Sequence, residues 1–504
     1  MPEFKLSSRR VNKLIHSAPF PRHPAGLSTL FFTEMWERFS YYGMRALLVL
    51  YLVNALEYPR DQALKLYATY TALVYLTPII GGYIADRYLG ARRAVLVGAA
   101  VMAMGHFTMA VPDLLYVALG FLVVGNGFFK PNISTIVGSL YGDNDTRRDS
   151  GFTIFYMGIN LGAFMSPLVC GTLGERYGWH YGFAAAGVGM VIGLWVFATG
   201  QRNLKQGPLT ARDGLVVVFT SMVTLITVLS IVGLWATFSG WWSGLSGLWQ
   251  GGIGLSVVAL LWWFPSLYRA GVWGLSKKST DGANQGRRRL SRVEMHRIFA
   301  IAIMSQFVIF FWMGFEQAGG TMNLFADKLT HRQIGDWLMP ASYFQSVNPL
   351  FILVLAPLFS LLWVRVDRSR FALSSVTKQA IGMLILGLGF VLLALAQEQA
   401  DLYGTVGPQW LLGVYLLHTI GELCLSPIGL SMVTKLAPAQ LVSMMLGFWF
   451  TAVAAANYLA GMLESLLVES GLPLYWFLVG SSTGAGLLLL LLAPLIRRLM
   501  HGVK

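Results

Sequence analysis

The chain has 504 residues, of which 55% are hydrophobic and only 12% charged, and it contains 55 glycines. Soluble domains carry roughly a quarter charged residues, so this composition excludes a large soluble enzyme. The two cysteines, Cys170 and Cys424, lie in apolar runs, which excludes a disulfide scaffold and a cysteine-rich metal site. In a soluble chain, the net charge of +14 would indicate nucleic-acid binding. The positions of the basic residues along the chain must therefore decide between nucleic-acid binding and membrane topology.

About fourteen apolar stretches of about 20 residues follow one another along the chain, and each could cross a bilayer as a helix. The start of the chain is basic and interrupted by Pro19, Pro21 and Pro24, so no cleavable signal peptide is predicted. The stretches centre near residues 30–54, 64–85, 93–111, 114–139, 151–172, 181–199, 213–236, 246–267, 298–326, 340–364, 377–396, 409–433, 441–467 and 474–496.

Most of the 37 Lys and Arg residues fall in alternate connections, on the side that also receives residues 1–29. The positive-inside rule therefore predicts that both termini are cytoplasmic in a multi-pass protein. The most basic run, 277–297, is then an ordinary cytoplasmic loop, and we expect no nucleic-acid binding.

Matches between the two parts of the chain indicate an internal duplication, a common feature of transporters. Each match is weak alone, but they occur in one order and favour two six-helix bundles with a helix pair inserted between them. The matches are Phe31-Phe32 before Glu37 with Phe310-Phe311 before Glu316, Pro131 with Pro427, and Asp86-Arg87 with Asp367-Arg368.

These observations predict an all-α membrane protein with about fourteen transmembrane helices. We expect the inserted pair to be peripheral packing against lipid, because no charged residue lies between Asp213 and Arg269. The predicted parts are a cytoplasmic N-terminal segment (1–29), an N-terminal bundle (30–199), the inserted pair (213–267), a basic cytoplasmic loop (268–297), a C-terminal bundle (298–496) and a cytoplasmic tail (497–504).

Seven ionisable residues of the predicted spans are candidates for function, because a charge at the bilayer centre costs roughly 2.5–3.5 kcal/mol and is a functional hypothesis by default. Those in the first span recur at steps of three or four, so they share one broad helical face that cannot point to lipid. A cluster that only locks helices together is the alternative. Four acids against three bases would allow one carboxyl group to be carried neutral by a proton. The seven are Glu34, Glu37, Arg38, Arg45, Lys130, Glu316 and Glu422.

Lys130 lies in a span loosened by Gly125, Gly127 and Pro131, and it would be buried alone unless an acid faced it. By the duplication, Glu316 corresponds to Glu37 and could approach the same centre. A partly structural role for this lysine stays open. No zinc-protease, P-loop or serine-hydrolase motif is present, so we expect no enzyme, no catalytic residue and no metal site.

The motif Glu34-Met-Trp-Glu37-Arg38-Phe39-Ser40-Tyr41-Tyr42-Gly43 resembles the proton-coupled oligopeptide transporter family of the major facilitator superfamily. Further family-like segments lie at 81–93, 127–138, 152–164, 315–322, 344–352 and 421–438, in both halves and in order. The helix pair inserted between the halves resembles a feature of the bacterial branch of this family. The resemblance implies a major-facilitator-type fold in a plasma membrane, here a bacterial inner membrane.

The resemblance also implies roles for individual residues. Glu34, Glu37 and Arg38 would couple transport to protons, and Glu316 would pair with Lys130 as a switch between the halves. Arg45 and Lys130 would face the peptide carboxylate, and Glu422 would take the peptide amino group. The remaining implied substrate contacts are Tyr41, Tyr42, Tyr75, Asn160, Trp312, Asn348, Ser426 and Trp449.

We accordingly expect a symporter that takes up di- and tripeptides with protons by alternating access, as a monomer in the lipid bilayer and with the proton gradient in place of a cofactor. Arg60 and Asp327 would form an outer gate, with two solvated loop charges as the alternative. A related carrier for nitrate, amino acids or a drug would show similar motifs. A receptor or scaffold without flux would need neither the excess of acids nor a duplicated cavity.

Overall fold

The computed structural model describes residues 23–142, 145, 147–204, 210–242, 290–369, 373–438, 441–468 and 470–503. These residues are overwhelmingly helical, and nine of their helical segments are long and apolar enough to cross a membrane. The predicted all-α fold is confirmed. The second inserted span, 246–267, and most of the basic loop that follows it lie outside the described residues.

The N-terminal half contains six helices in two groups of neighbours. Helix α1 packs against α5 and α6, whereas α4 packs against α2 and α3. The helices are α1 (Gly26–Asn54), α2 (Arg60–Ile84), α3 (Ala91–Thr108), α4 (Leu115–Ser139), α5 (Arg148–Thr172) and α6 (Trp179–Thr199). Short π-helical turns extend α2 through Ala85–Leu89 and α5 through Leu173–Tyr177.

The C-terminal half repeats this plan. Helix α11 packs against α12 and α14, and α8 packs against α13. The helices are α8 (Arg292–Phe315), α9 (Thr321–Lys328), α10 (Val347–Asp367), α11 (Ser375–Tyr403), α12 (Gln409–Leu436), α13 (Val442–Val468) and α14 (Leu474–Leu499), with α7 (Ala211–Trp242) between the halves.

Small residues allow the helices to approach closely, which is the usual basis of helix association in membranes. A Cβ atom on Gly81 of α2 would lie 2.1 Å from the carbonyl oxygen of Gly127 in α4. A Cβ atom on Gly162 of α5 would lie 2.1 Å from the carbonyl oxygen of Met35 in α1. A larger residue at either glycine would therefore push apart helices that carry site residues.

The predicted span 298–326 differs from the structure in one important respect. Helix α8 ends at Phe315, and a 3-10 turn, Glu316–Gly319, separates it from the short helix α9. Gly320 follows with φ −110° and ψ −103°, a conformation that breaks the α-helix. This break places Glu316 at a helix end in the middle of the molecule.

The connections α1–α2, α5–α6, α9–α10 and α13–α14 meet at one end, here called the distal end. A short hairpin of β1 (Gln333–Ile334) and β2 (Trp337–Leu338) lies there, between α9 and α10. The opposite end, here called the terminal end, holds the first and last described residues, His23 and Val503. There the stacked rings of His296 and His501 join the start of α8 to the residues after α14.

Helix α7 packs against α3 and α4 of the N-terminal half. Its side chain Val228 joins a small apolar cluster with Val97, Phe121 and Phe128. At the start of the helix, Asp213 forms a salt bridge with Arg93 at 2.7 Å. Other side chains of α7 are exposed, among them Leu215, Phe219 and Ile226. Helix α7 thus has one packed face and one exposed apolar face, and contact of the inserted pair with lipid stays a prediction.

Candidate transport site

The charged motif of α1 forms a compact group of ionic contacts within a single helix. Arg38 lies 3.2 Å from a carboxylate oxygen of Glu34 and donates two hydrogen bonds to Glu37, one of them from Nη2 to Oε1 at 2.8 Å. All three residues are at most 3% exposed. The group contains two carboxyl groups and one guanidinium. Binding of one proton would therefore make it electrically neutral without a second cation.

A buried ion pair joins the two halves in the middle of the molecule. Arg45 of α1 forms a salt bridge and hydrogen bond through Nη2 to Oε2 of Glu316, at the end of α8. Arg45 is 8% exposed and Glu316 is 3% exposed. Removing one partner of such a pair would leave an uncompensated buried charge, so the two residues depend on each other in this arrangement.

The predicted Lys130–Glu316 pair is therefore wrong in this structure. Glu316 lies at the break after Phe315, faces α1 and forms its ion pair with Arg45. Lys130 is instead half-buried, with its Nζ 4.7 Å from the centre of the Tyr75 ring. A cation over an aromatic face is stabilised without a carboxylate partner.

Sequence reasoning missed Tyr67, which completes the surroundings of Arg45. Its hydroxyl accepts a hydrogen bond from Arg45 Nε at 2.6 Å, and its ring centre lies 5.8 Å from the guanidinium carbon. The ring of Tyr42, a predicted site residue, lies 5.7 Å away. Tyr67 belongs to no motif, and only the spacing to Tyr70 and Tyr75 along α2 marks it in the sequence.

The C-terminal half supplies a carboxylate of its own. Glu422 of α12 accepts a hydrogen bond from Nδ2 of Asn348 in α10 at 3.0 Å, and the same nitrogen lies 3.0 Å from the hydroxyl of Thr419. Glu422 is 8% exposed, whereas Asn348 is half-buried. The structure thus brings together two residues for which the family resemblance implies substrate contact.

The other predicted substrate contacts occupy different environments. Tyr41 is buried beneath Arg38, whose guanidinium carbon lies 5.2 Å from its ring centre. Asn160 is 5% exposed and donates to the carbonyl of Tyr156 in its own helix. Trp312 is half-buried, whereas Trp449 is 4% exposed.

Trp449 packs closely on α12. A Cβ atom on Gly429 would lie 2.5 Å from the Trp449 ring, so a larger residue there would displace the ring. The ring therefore supports the helix that carries Glu422. The side chain of Ser426, the remaining predicted contact, lies outside the described residues.

The predicted Arg60–Asp327 pair is also wrong in this structure, because each of the two residues has other partners. Arg60, at the start of α2, pairs with Glu464 of α13 at 2.7 Å. Asp327, at the end of α9, pairs with Arg332 at 2.9 Å and with the neighbouring Lys328 at 3.2 Å. The start of α2 packs beside α13, whereas the end of α9 lies beside the end of α1.

Further polar contacts between the halves close the distal end. Asn54 of α1 donates to Asp327 at 3.0 Å and accepts from Lys328 at 2.8 Å. Thr172 and Tyr343 share a hydrogen bond at 2.6 Å across the interface of α5 and the segment before α10. These contacts seal the cleft between the halves on one side of the central residues.

Toward the terminal end, helices α2 and α10 expose apolar side chains. Ile80 of α2 and Leu361 of α10 are 61% and 62% exposed. Two helical bundles closed at one end, with buried charges between them, define a membrane transporter whose central site is reached from one side at a time.

The comparisons with known proteins identify the family. The POT family model matches residues 92–475, which is most of the chain. An uncharacterized transporter of Bacillus subtilis, YclF, is 36% identical over 518 residues, covering 99% of both chains. A di-/tripeptide transporter of Lactococcus lactis subsp. cremoris is 32% identical over 506 residues, covering 95% of this chain and 97% of the relative.

Solved structures agree with this result. A crystal structure of a peptide transporter POT in complex with sulfate has a TM-score of 0.78 and is 35% identical, with 99% of this chain and 100% of that chain covered. A related structure in complex with alafosfalin has a TM-score of 0.75. The chain belongs to the POT family, the proton-coupled oligopeptide transporters that its motifs predicted.

Proposed function

We propose that the protein takes up di- and tripeptides together with protons, by alternating access of a site between its two halves. The observation that carries the proposal is the Arg45–Glu316 pair, a buried ion pair that joins the halves next to the site. Its carboxylate can bind a proton, and its guanidinium can bind a substrate carboxylate. Either event would loosen the contact between the halves.

The arrangement of charges suits a peptide of variable sequence. Every di- or tripeptide has one ammonium group and one carboxylate at neutral pH, whatever its side chains. Glu422 in the C-terminal half would bind the ammonium group, and Arg45 with Lys130 in the N-terminal half would bind the carboxylate. Aromatic side chains such as Tyr42 and Tyr75 would accommodate the variable side chains of the peptide.

The proton gradient would drive accumulation without any cofactor. One proton contributes roughly 2.3 kcal/mol per 100 mV of membrane potential. Because about 1.4 kcal/mol corresponds to a factor of ten, one proton suffices to concentrate a neutral peptide more than tenfold. The Glu34, Glu37 and Arg38 group in α1 would take part in receiving the proton.

The orientation follows from the charge asymmetry of the connections. We propose that the terminal end is cytoplasmic, that the membrane is a bacterial plasma membrane, and that one chain is sufficient for transport. The closed distal end would then face outward, so the arrangement described here would be the inward-facing one. The distal contacts Asn54–Asp327, which is exposed, and Thr172–Tyr343, which is partly buried, would form the outer seal.

Uptake by purified protein in liposomes tests the proposal. We expect a labelled dipeptide to accumulate when the outside is acidic and the inside negative, and unlabelled di- and tripeptides to compete with it. Glu316→Gln, which mimics the protonated carboxyl group, should abolish accumulation but keep counterflow of labelled peptide. Competition by nitrate or free amino acids, in place of peptides, would favour a different carrier.

A further inference from the structure

We infer that Tyr67 is a positioning residue for transport: its hydroxyl fixes the guanidinium of Arg45 so that the ion pair with Glu316 forms again in every cycle. The inference rests on the proposed function. Tyr67 need not touch the peptide or carry the proton. Its effect is exerted through Arg45, whose orientation decides whether Nη2 meets the carboxylate of the opposite half.

The contacts of Arg45 divide between its two ends. Nε donates to the Tyr67 hydroxyl at 2.6 Å, and Nη2 donates to Glu316. A guanidinium is planar and its donors form a rigid fork, so fixing Nε also fixes the direction of Nη2. The rings of Tyr42 and Tyr67, at 5.7 and 5.8 Å from the guanidinium carbon, further restrict its tilt.

Without the hydroxyl, the Arg45 side chain would have several rotamers available in a site that opens and closes. A long side chain loses conformational entropy when it is held in one geometry. Tyr67 and Arg45 both belong to the N-terminal half, so their hydrogen bond can persist when Glu316 moves away. The arginine would therefore remain aimed at the position to which the carboxylate returns.

The Tyr67 hydroxyl also contacts the turn that carries Glu316. A Cβ atom on Gly319 would lie only 1.8 Å from that hydroxyl and 3.1 Å from Arg45 Nε. Tyr67 is 3% exposed, so its hydroxyl has little space to move away. Glycine at position 319 thus allows the turn of the C-terminal half to close over the hydroxyl and Arg45 together.

The same face of α2 approaches the C-terminal half at a second glycine. A Cβ atom on Gly461 of α13 would lie 2.4 Å from Ala68 Cβ and from the Leu64 carbonyl oxygen. Leu64, Tyr67 and Ala68 share one face of a helix because they are three and four residues apart. The Tyr67 hydroxyl consequently lies on the surface along which the halves meet, where it can align Arg45 with each closure.

The chain offers a matched control for removing the hydroxyl. Tyr70 lies one turn further along α2, is also 3% exposed, and its hydroxyl has no hydrogen-bond partner among the described residues. Tyr67→Phe and Tyr70→Phe therefore delete the same group from the same helix. We expect Tyr67→Phe to reduce proton-driven uptake about tenfold, equivalent to about 1.4 kcal/mol. Counterflow of labelled dipeptide should stay within about twofold of wild type, as should both activities of Tyr70→Phe.

A double-mutant cycle separates positioning from simple packing. In the thermal unfolding midpoint of the purified protein, the combined loss in Tyr67→Phe with Glu316→Gln should be smaller than the sum of the two single losses, because Tyr67 acts partly through the ion pair. Tyr70→Phe and Glu316→Gln should act additively. As a second approach, Gly319→Ala should displace the hydroxyl and reproduce the loss of driven uptake.

The inference would be overturned by wild-type driven uptake in Tyr67→Phe, by additivity of Tyr67→Phe with Glu316→Gln, or by equal losses of driven uptake and counterflow. Failure of Tyr67→Phe to fold would equally count against it, because the hydroxyl would then be structural. Failure of the wild type to accumulate peptide is a different outcome and would reject the proposed function itself.

Discussion

Glu175 of the N-terminal half accepts a hydrogen bond from the backbone N–H of Ala341 in the C-terminal half, at 2.7 Å. Its second carboxylate oxygen accepts from the N–H of Ser342 at 2.9 Å, and Arg332 lies 3.9 Å away. The first N–H groups of a helix lack partners within it and favour a negative charge. Glu175 therefore caps, from the opposite half, the helical segment that leads into α10.

This contact predicts that Glu175 helps to keep the distal end closed. Glu175→Gln removes the negative charge and one of the two accepting oxygens, and hydrogen bonds to charged groups are worth about 1.5–3 kcal/mol. We expect about tenfold faster labelling of a single cysteine at position 348 by a membrane-impermeant thiol reagent applied from outside. The background protein would carry Cys170→Ala and Cys424→Ala.

Arg60→Gln provides the comparison for that experiment. Its pair with Glu464 also joins the halves at the distal end, but the two side chains are 44% and 24% exposed. Exposed pairs contribute about 0–1 kcal/mol, so labelling should rise less than in Glu175→Gln. Equal labelling of wild type and Glu175→Gln would show that the cap does not control the distal end.

The contact between Asn348 and Glu422 gives a prediction about substrate recognition. If Glu422 binds the peptide amino group, N-acetylation of a dipeptide should weaken uptake by the wild type far more than uptake by Glu422→Gln. The difference should be about tenfold or more, because a charge-assisted hydrogen bond is lost only in the wild type. Competition assays with both substrates measure it, and equal losses in the two proteins would exclude Glu422 as the amino-group contact.

The ionic group of α1 predicts a selective loss of coupling. In Glu37→Gln the carboxylate that accepts two hydrogen bonds from Arg38 is neutralised, and in Arg38→Ala both acids lose their cation. Proton-driven accumulation should disappear in both variants, whereas peptide exchange without a gradient should continue in Glu37→Gln. Uphill uptake at the wild-type rate in either variant would remove this group from the coupling mechanism.

The separation of Lys130 from Glu316 predicts different effects on stability. Glu316→Ala leaves Arg45 buried without its partner, which should cost about 3–5 kcal/mol and lower the thermal unfolding midpoint. Lys130→Ala should abolish transport but change that midpoint much less, because Lys130 contacts the Tyr75 ring instead. A large drop in the midpoint for Lys130→Ala would indicate an ionic partner in the folded protein.

Much of the architecture follows from the sequence alone. Hydropathy and helical periodicity are local properties, so the spans and the shared face of Glu34, Glu37 and Arg38 could be predicted residue by residue. The cost of a charge in lipid directed attention to Arg45, Glu316 and Glu422 as well. The structure places these residues within the protein, as that cost requires.

The pairing of these charges was decided only by the tertiary structure. Arg45 and Glu316 are 271 residues apart, and Arg60 and Glu464 are 404 apart, so no local pattern relates them. Arg45 and Lys130 were both candidate basic partners, and only the folded structure shows that Arg45 pairs with Glu316 whereas Lys130 lies over Tyr75. The sequence determined which residues must avoid lipid, because that depends on each residue's own chemistry. The fold determined their partners, because an ion pair depends on a few ångströms of distance between helices remote in the chain.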